Sequence, residues 1–251
     1  MGKRVIEESS LTAVADAIRE KGGTEALLEF PDGFVSAVEA ISAGGDTEIY
    51  KTIIEGTYGA EVTIPEGIES TCPYLLSNTT AITKVNFPSS LKTLGNYCLY
   101  RCSGLTSVEL PQSLVRMNTY SVGGNAGLER ISIPDSVTFM GFACLDGDAK
   151  IDLEKLPDSL ETLDGLCFRG CTSLTLSRIP ALVKHVRNGA FTNCTGLTEL
   201  TFEGTPTELA VNTFNGCSNL TVINVPWEEG KFSNAPWGAV NATINYGYTG
   251  G

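Results

Sequence analysis

The eight cysteines are the residues whose type and spacing fit the widest range of chemistry. All but Cys72 fall into two columns whose members are separated by multiples of 23 residues. One column holds Cys102, Cys171, Cys194 and Cys217, and the other holds Cys98, Cys144 and Cys167. Thiolates can bind zinc, form disulfides or act as nucleophiles. No Cys-x-x-Cys and no paired histidine completes a zinc set, so we interpret them as reduced, partly buried structural thiols, with disulfides or a zinc site as the alternative.

The first cysteine column also contains Asn125 and Asp148. A position that accepts cysteine, asparagine or aspartate is typical of a turn where a small polar side chain satisfies backbone groups inside the fold. Asp148 closes an Asp-Gly-Asp sequence that could hold calcium, but no neighbouring ligand set accompanies it, which favours a surface turn.

The other catalytic groups are too few or too scattered to form a recognisable site. His185 is the single histidine, which removes most triads and histidine metal sites, and we expect it on a solvated turn. Neither a Gly-x-Ser-x-Gly elbow nor a phosphate-binding loop occurs. A pair of carboxylates at glycosidase spacing stays open, yet a shallow surface offers no cleft for it. We therefore assign no catalytic, cofactor-binding or metal-binding residue and expect no enzyme.

A 23-residue repeat is the element that positions all these side chains. The sequences FRGCTSLT, FTNCTGLT and FNGCSNLT begin at residues 168, 191 and 214. Prolines follow the same step, at positions 65, 88, 111, 134, 157, 180 and, after one omission, 226. A period of 20 to 29 residues is typical of leucine-rich-repeat-like solenoids.

Each repeat opens with alternating apolar residues, such as Val108 and Leu110 against Ser107 and Glu109, which predicts a short strand. Stacked repeats share one core, so the sequence predicts an α/β-type leucine-rich-repeat solenoid with a parallel sheet along one side. The interior is predicted to contain apolar positions three apart and one aliphatic or aromatic column: Leu76, Leu99, Val122, Leu145, Phe168, Phe191 and Phe214.

The outward strand positions form the candidate binding face, which we call the strand face. It comprises Lys84, Asn86, Ser107, Glu109, Arg130, Ser132, Lys155, Arg178, Glu199 and Thr201. Leu153 and Leu176 interrupt these polar columns. Either the alternation slips by one residue there and moves Glu154 and Ser177 outward, which we favour, or the two leucines form an exposed patch for a protein partner.

The repeats of residues 61–234 resemble the BspA-like leucine-rich repeats, the type 5 class. The shared pattern is LTxVxLPxSLxxLxxxxFxxCxxL. This class occurs in bacterial surface proteins and in proteins encoded by phages and prophages, and the resemblance implies an adhesin or an interaction surface rather than an enzyme. Residues 10–41, SLTAVADAIREKGGTEALLEFPDGFVSAVEAI, resemble a segment of phage and prophage virion-associated proteins. Residues 235–248, APWGAVNATINYGY, are similar to the segment that closes this repeat class.

The N-terminal segment has the pattern of a small helical hairpin. Two apolar faces follow helical spacing, with Leu11, Val14 and Ile18 on the first helix and Phe34, Val38 and Ile41 on the second. We therefore divide the chain into a hairpin for attachment or oligomerisation (1–45), a linker and capping strand (46–60), the repeats (61–234) and a C-terminal capping segment (235–251).

The charge of the chain restricts its partners. Twenty-nine acidic and 17 basic residues give a net charge of −12, which repels nucleic acid. We find neither a signal peptide nor a membrane-spanning stretch, and therefore expect no membrane insertion. The resulting hypothesis is a non-enzymatic phage or prophage virion protein that binds other virion proteins or a host-surface protein or glycan, and that self-associates through its hairpin. The alternative is a bacterial cell-surface adhesin or interaction module.

Overall fold

The computed structural model describes residues 60–64 and 66–250, which form a parallel β-solenoid of stacked coils. Each coil contributes short strands that pair with the coils before and after it. In chain order the strands are β1 (Glu61–Thr63), β2 (Lys84–Asn86), β3 (Thr93–Leu94), β4 (Ser107–Glu109), β5 (Arg116–Met117), β6 (Arg130–Ser132), β7 (Phe139–Met140), β8 (Thr162–Leu163), β9 (Arg178–Ile179), β10 (His185–Val186), β11 (Glu199–Phe202), β12 (Glu208–Leu209), β13 (Val222–Asn224) and β14 (Thr243–Asn245).

The strands form two parallel ladders, whereas the sequence predicted a sheet along one side only. The second ladder is continuous and contains β3, β5, β7, β8, β10 and β12. The first ladder is divided into β1-β2, β4-β6 and β9-β11-β13-β14. Partners lie 23 residues apart, as in Ser107 opposite Arg130, because one coil is one sequence repeat.

The described residues contain no helix, so the prediction of an α/β-type repeat is wrong for this part of the chain. The segment after each second strand instead makes consecutive turns, and in most coils two of its residues, four apart, have positive φ. Tyr97 (φ 55°) and Arg101 (φ 55°) are one such pair. Left-handed residues interrupt a right-handed helix, and turns replace it. The predicted hairpin of residues 1–45 lies outside the described residues.

The predicted interior is confirmed, because every member of the aliphatic and aromatic column is fully buried. Phe168 and Phe191 stack at a centroid distance of 5.4 Å, and Phe191 and Phe214 at 5.6 Å. The prolines follow the first strand and carry no N–H, so they end hydrogen bonding along that segment. Each coil therefore buries one face against its neighbours.

The C-terminal end is closed by aromatic side chains and a strand. Trp237 is fully buried, and its ring centroid lies 6.1 Å from that of Trp227. Strand β14 pairs with β13 with a 21-residue offset, as in Val222 opposite Thr243. Within the described part of the chain, no helix is long and apolar enough to cross a membrane.

Candidate functional site

The strand face lies on the first ladder, with its side chains exposed or half-buried. Eight of its ten residues lie within β2, β4, β6 and β11, beside buried apolar positions such as Val108 and Ile131. Arg178 begins β9, whereas Lys155 lies outside any strand. The structure therefore brings the predicted residues onto one side of the solenoid but interrupts them at Lys155.

Contacts between coils fix the two ends of the strand face. At one end Lys84 Nζ lies 2.7 Å from Glu61 Oε1, and Asn86 Nδ2 donates to the same oxygen at 2.8 Å. Toward the other end Asn224 Nδ2 donates to Glu199 Oε1 at 2.8 Å. These bonds between neighbouring coils hold exposed side chains in a regular array.

The two leucines that interrupted the polar columns are buried, so the slip in alternation is confirmed. Leu153 is 9% exposed and Leu176 is 1% exposed, while Glu154 and Ser177 face solvent. A one-residue shift turns every following side chain to the other face of a strand. The coil containing Leu153 has no strand, which leaves the break between β6 and β9, whereas the coil containing Leu176 has the same shift and still forms β9.

A second surface, on the turns that follow the second ladder, carries five aromatic side chains. We call it the aromatic surface: Tyr74, Tyr97, Tyr100, Tyr120 and Phe142. Three of the tyrosines stack in successive coils, with centroid distances of 4.6 and 5.1 Å and nearly parallel rings. Tyr100 stands almost perpendicular to two of these rings, 5.4 Å from each. Phe142 is 39% exposed and extends the row.

The stacked tyrosines occupy a backbone conformation that favours glycine. The φ angles of Tyr74, Tyr97 and Tyr120 are 60°, 55° and 49°, and three coils after Tyr120 the same position holds Gly189. A left-handed conformation costs an L-residue roughly 1–2 kcal/mol. Ala143 and Leu166 have the same conformation in the two coils after Tyr120, with φ of 53° and 57°, so every non-glycine residue at this position carries that cost.

Two arginines lie over aromatic rings, one over Tyr100 of this row and the other on β5, over Phe139 of the second ladder. Arg101 Cζ is 5.0 Å from the centroid of Tyr100, and Arg116 Cζ is 4.0 Å from that of Phe139. A Cβ at residue 124 would lie 3.0 Å from Arg101 Cγ, so Gly124 leaves the room that Arg101 needs. Guanidinium groups over ring faces are stabilised by the ring quadrupole.

The first cysteine column has the structural role predicted for it. Cys102 Sγ donates to the carbonyl of Leu76 at 2.9 Å, and Cys171, Cys194 and Cys217 donate to the carbonyl 26 residues earlier in the same way. The eight cysteines are free and buried, more completely than the partial burial expected. Burial raises the pKa of the Cys102 and Cys217 thiols to about 11, and thiols that stay protonated are poor nucleophiles.

Asn125 and Asp148 continue this column with different chemistry. Asn125 Nδ2 donates to the Leu99 carbonyl at 3.0 Å, as the thiols do. Asp148 is fully buried and accepts from the Asn125 N–H at 2.6 Å, but its Oδ2 has no hydrogen-bond partner among the described residues. Burial raises the pKa of Asp148 well above its ordinary value. Asp148 therefore lies in the core and not on the surface turn that was predicted.

The remaining candidates for chemistry have polar partners in neighbouring coils. His185 begins β10 and not a turn, and its Nδ1 lies 3.1 Å from Glu208 Oε2. Asp146 forms a two-oxygen ion pair with Arg169, at 2.7 and 2.5 Å. In the residues that the structure describes, no group of three histidine, cysteine or acidic side chains could hold a metal ion.

Sequence reasoning missed the aromatic surface, although a signal for it was present. Tyr74, Tyr97 and Tyr120 are separated by 23 residues and therefore occupy one column. The strand face attracted attention because alternation predicts which residues of a strand point outward. A turn has no such rule, so only the repeat itself could have shown that these rings stack.

Comparison with known proteins identifies the repeats. The model of the BspA type leucine rich repeat region matches residues 47–152 and 148–235, with six copies. A search of curated protein sequences found no match. A leucine-rich repeat protein of T. pallidum is 26% identical over 64% of this chain and 78% of its own, with a TM-score of 0.57.

Two further solved structures are similar to this chain at a lower level. A leucine rich cell surface protein of Faecalibacterium prausnitzii is 17% identical over 76% of this chain and 65% of its own, with a TM-score of 0.49. A leucine-rich repeat protein of Bacteroides ovatus is 17% identical over 74% and 60%, with a TM-score of 0.36. Since the family model covers most of the solenoid and the stacked parallel coils agree with it, the chain belongs to the BspA type leucine-rich repeat family.

Proposed function

We propose that this chain is a non-enzymatic binding protein whose solenoid presents side chains to a protein or glycan on a cell or particle surface. The observation that supports the proposal is the regular array on the strand face, where exposed polar groups are held from coil to coil, as Asn86 is by Glu61 and Thr63. Parallel strands lie about 4.8 Å apart, so such an array gives a partner many evenly spaced contacts. The buried, protonated thiols add support, since they are unsuited to catalysis.

The centre of the strand face is the best candidate for the contact. Glu109 and Arg130 are exposed there and form no ion pair with the described residues, unlike Lys84 at the end of the face. We expect the double variant Glu109→Lys and Arg130→Glu to reduce binding of the labelled full-length chain to its target cells or particles. An unchanged affinity would exclude the centre of this face. Val240→Ser, which changes an 85% exposed side chain at the C-terminal end, is the control.

Two locations fit this function. A virion location is supported by the resemblance of residues 10–41 to virion-associated proteins, and a bacterial surface location by the resemblance of the repeats to those of surface proteins.

One experiment separates the two locations. Prophages are induced in the bacterium that carries the gene, particles are purified on a density gradient, and intact cells are treated in parallel with trypsin. Recovery of the chain with the particles supports the virion role, and its release from cells by trypsin supports the adhesin role. Recovery in neither fraction would contradict both.

A further inference from the structure

The aromatic surface combines the side chains that contribute most to binding at protein interfaces. Tyrosine and arginine are enriched at such positions because they bury a large area and still offer a polar group. Here the tyrosine rings are half-buried, Phe142 and Arg101 are exposed, and all of them come from adjacent coils. The surface therefore has the composition of a binding site and lies apart from the strand face.

The backbone conformation at the tyrosines and at Arg101 is strained, so these side chains are present at a cost in folding free energy. Arg101 has a φ of 55°, whereas the equivalent residue in the next three coils is Gly124, Gly147 or Gly170. Tyr97 and Tyr120 occupy a position that has positive φ in the next three coils as well, where it holds Ala143, Leu166 and Gly189. Glycine adopts positive φ without strain, so the fold itself does not require tyrosine or arginine here. Strained residues that stability does not require are concentrated at functional sites.

The arrangement of the rings restricts what can bind. Tyr97 has a parallel ring on each side, at 4.6 and 5.1 Å, and Arg101 lies over Tyr100. The ring faces on which a sugar would stack are therefore largely occupied by neighbours. What remains accessible is the ring edges and the guanidinium groups. Ring edges are electropositive and attract oxygen acceptors.

The charge of the surface indicates the chemistry of the occupant. Most lysines and arginines of the described coils form ion pairs with a carboxylate, as Lys92 does with Glu69 and Lys184 with Glu161. Arg101 and Arg116 have ring partners but no carboxylate partner among the described residues. In a chain with a net charge of −12, two such arginines beside electropositive ring edges are complementary to carboxylates supplied by another molecule.

We propose that the aromatic surface, with Arg101 and Arg116, binds an extended acidic segment of another protein. Carboxylates of the segment accept charge-assisted hydrogen bonds from the two guanidinium groups, and its backbone and apolar side chains lie along the tyrosine edges. The inference rests on the proposed function only in treating the solenoid as a binding protein. It assigns a surface and a partner chemistry that the strand face does not share.

A random 12-residue peptide library displayed on ribosomes, selected against the immobilised full-length chain, tests the proposal. We expect the selected peptides to be enriched in aspartate and glutamate relative to the starting library. The best peptide is then synthesised with a fluorescent label, and its dissociation constant is measured by anisotropy. Replacing its acidic residues by the matching amides is expected to weaken binding tenfold or more, and so is raising the salt concentration.

The variant chain carries Arg101→Gly and Arg116→Gln. Glycine is the native residue at the equivalent of position 101 in the next three coils, so we expect the fold to be retained, as circular dichroism will show. Binding of the acidic peptide is expected to fall at least tenfold. Lys231→Gln, which removes an exposed charge outside the surface, is the control and is expected to leave the affinity unchanged.

Four results would overturn the inference. The first is a selection without acidic enrichment, and the second is an affinity for the peptide that the double variant does not change. The third is displacement of the peptide by polygalacturonate at equal carboxylate concentration. The fourth is a dimer in light scattering that the double variant dissociates. The third result would indicate an acidic polysaccharide and the fourth a second copy of the chain. Loss of cell or particle binding in the strand-face variant would still support the proposed function, so the two proposals fail separately.

Discussion

Asp148 is the residue at which the buried cysteine column changes its chemistry. Four thiols and Asn125 in this column donate hydrogen bonds to carbonyls of the preceding coil. An ionised aspartate cannot donate, and Asp148 Oδ2 has no partner among the described residues. Burial, with a smaller contribution from Asp146, raises the pKa of Asp148 well above 3.8, so the protonated form is favoured in the folded chain.

This raised pKa predicts how stability depends on pH. Below about pH 3.8 Asp148 is protonated in both states and its contribution to stability is complete. As the pH rises, the unfolded chain ionises first and the contribution is lost progressively up to the folded pKa. We expect Asp148→Asn to unfold like the parent at pH 3.5 and to be more stable at pH 7, by about 1.4 kcal/mol for each pH unit that separates the unfolded and folded pKa of Asp148, because asparagine does not ionise. Urea denaturation at several pH values measures the difference.

The control for this prediction is Asp152→Asn. Asp152 is exposed and accepts from Thr175 Oγ1, so its replacement changes the charge by the same amount without changing the core. If both variants shifted the stability curve equally, the effect would come from net charge and the assignment to Asp148 would be wrong. The sequence indicated two environments for Asp148, because its cysteine column predicted a side chain inside the coil while Asp-Gly-Asp is usual for a surface turn.

The first ladder is interrupted between β2 and β4 and again between β6 and β9, and only at the second interruption does a coil lack a strand, where the sequence pattern is shifted. The coil of residues 105–110 reads LTSVEL, whereas residues 151–156 read IDLEKL. In the second coil the buried position moves from the fourth residue to the third, Leu153. No strand forms there, and β6 and β9 remain unpaired with each other.

The double variant Leu153→Ser and Glu154→Val restores the usual alternation. We expect it to add a strand between β6 and β9 and to keep a stability close to that of the parent. Leu153→Ser alone removes a buried leucine and is expected to cost roughly 2–3 kcal/mol, which Glu154→Val then recovers. Hydrogen exchange at residues 153–155 and urea denaturation measure the two effects. If the two single substitutions changed the free energy of unfolding additively, and residues 153–155 gained no protection from hydrogen exchange, this account of the break would be wrong.

The elements differ in how far the sequence predicts them. The repeat period and the first strand were predictable because alternation and proline position mark them in most coils. The second ladder was missed because its strands are two residues long, as in Thr93–Leu94, too short for alternation to show. The helix expected in each coil was wrong because apolar spacing of three, as in Leu114 and Met117, also fits a strand entered from a turn. Left-handed tyrosines cannot be recognised from residue type.

The described part of the molecule is a one-dimensional stack, so the stability of each coil depends mainly on the coils beside it. Each coil contacts only its neighbours, and the last one must be covered. At the C-terminal end the cover is Trp237, whose carbonyl accepts from the Phe214 N–H at 2.9 Å and whose ring lies beside Trp227. The ring centroid of Trp227 in turn lies 5.2 Å from that of Phe202. A substitution that removes this cover should therefore destabilise the preceding coils through Phe214 and Phe202.

We expect Trp237→Ala to cost about 3–5 kcal/mol locally, the usual range for an aromatic core residue. The loss should be greatest near the end of the stack, because a coil in a repeat array is stabilised mainly by its nearest neighbours. In hydrogen exchange with mass spectrometry, β11 and β13 should lose protection first, while β3, β5 and β7 keep theirs. Val240→Ser, at an 85% exposed neighbouring site, should change neither region. A uniform loss of protection along the chain would mean that the solenoid unfolds as one cooperative unit, and that no single coil can open for a partner while the rest stays folded.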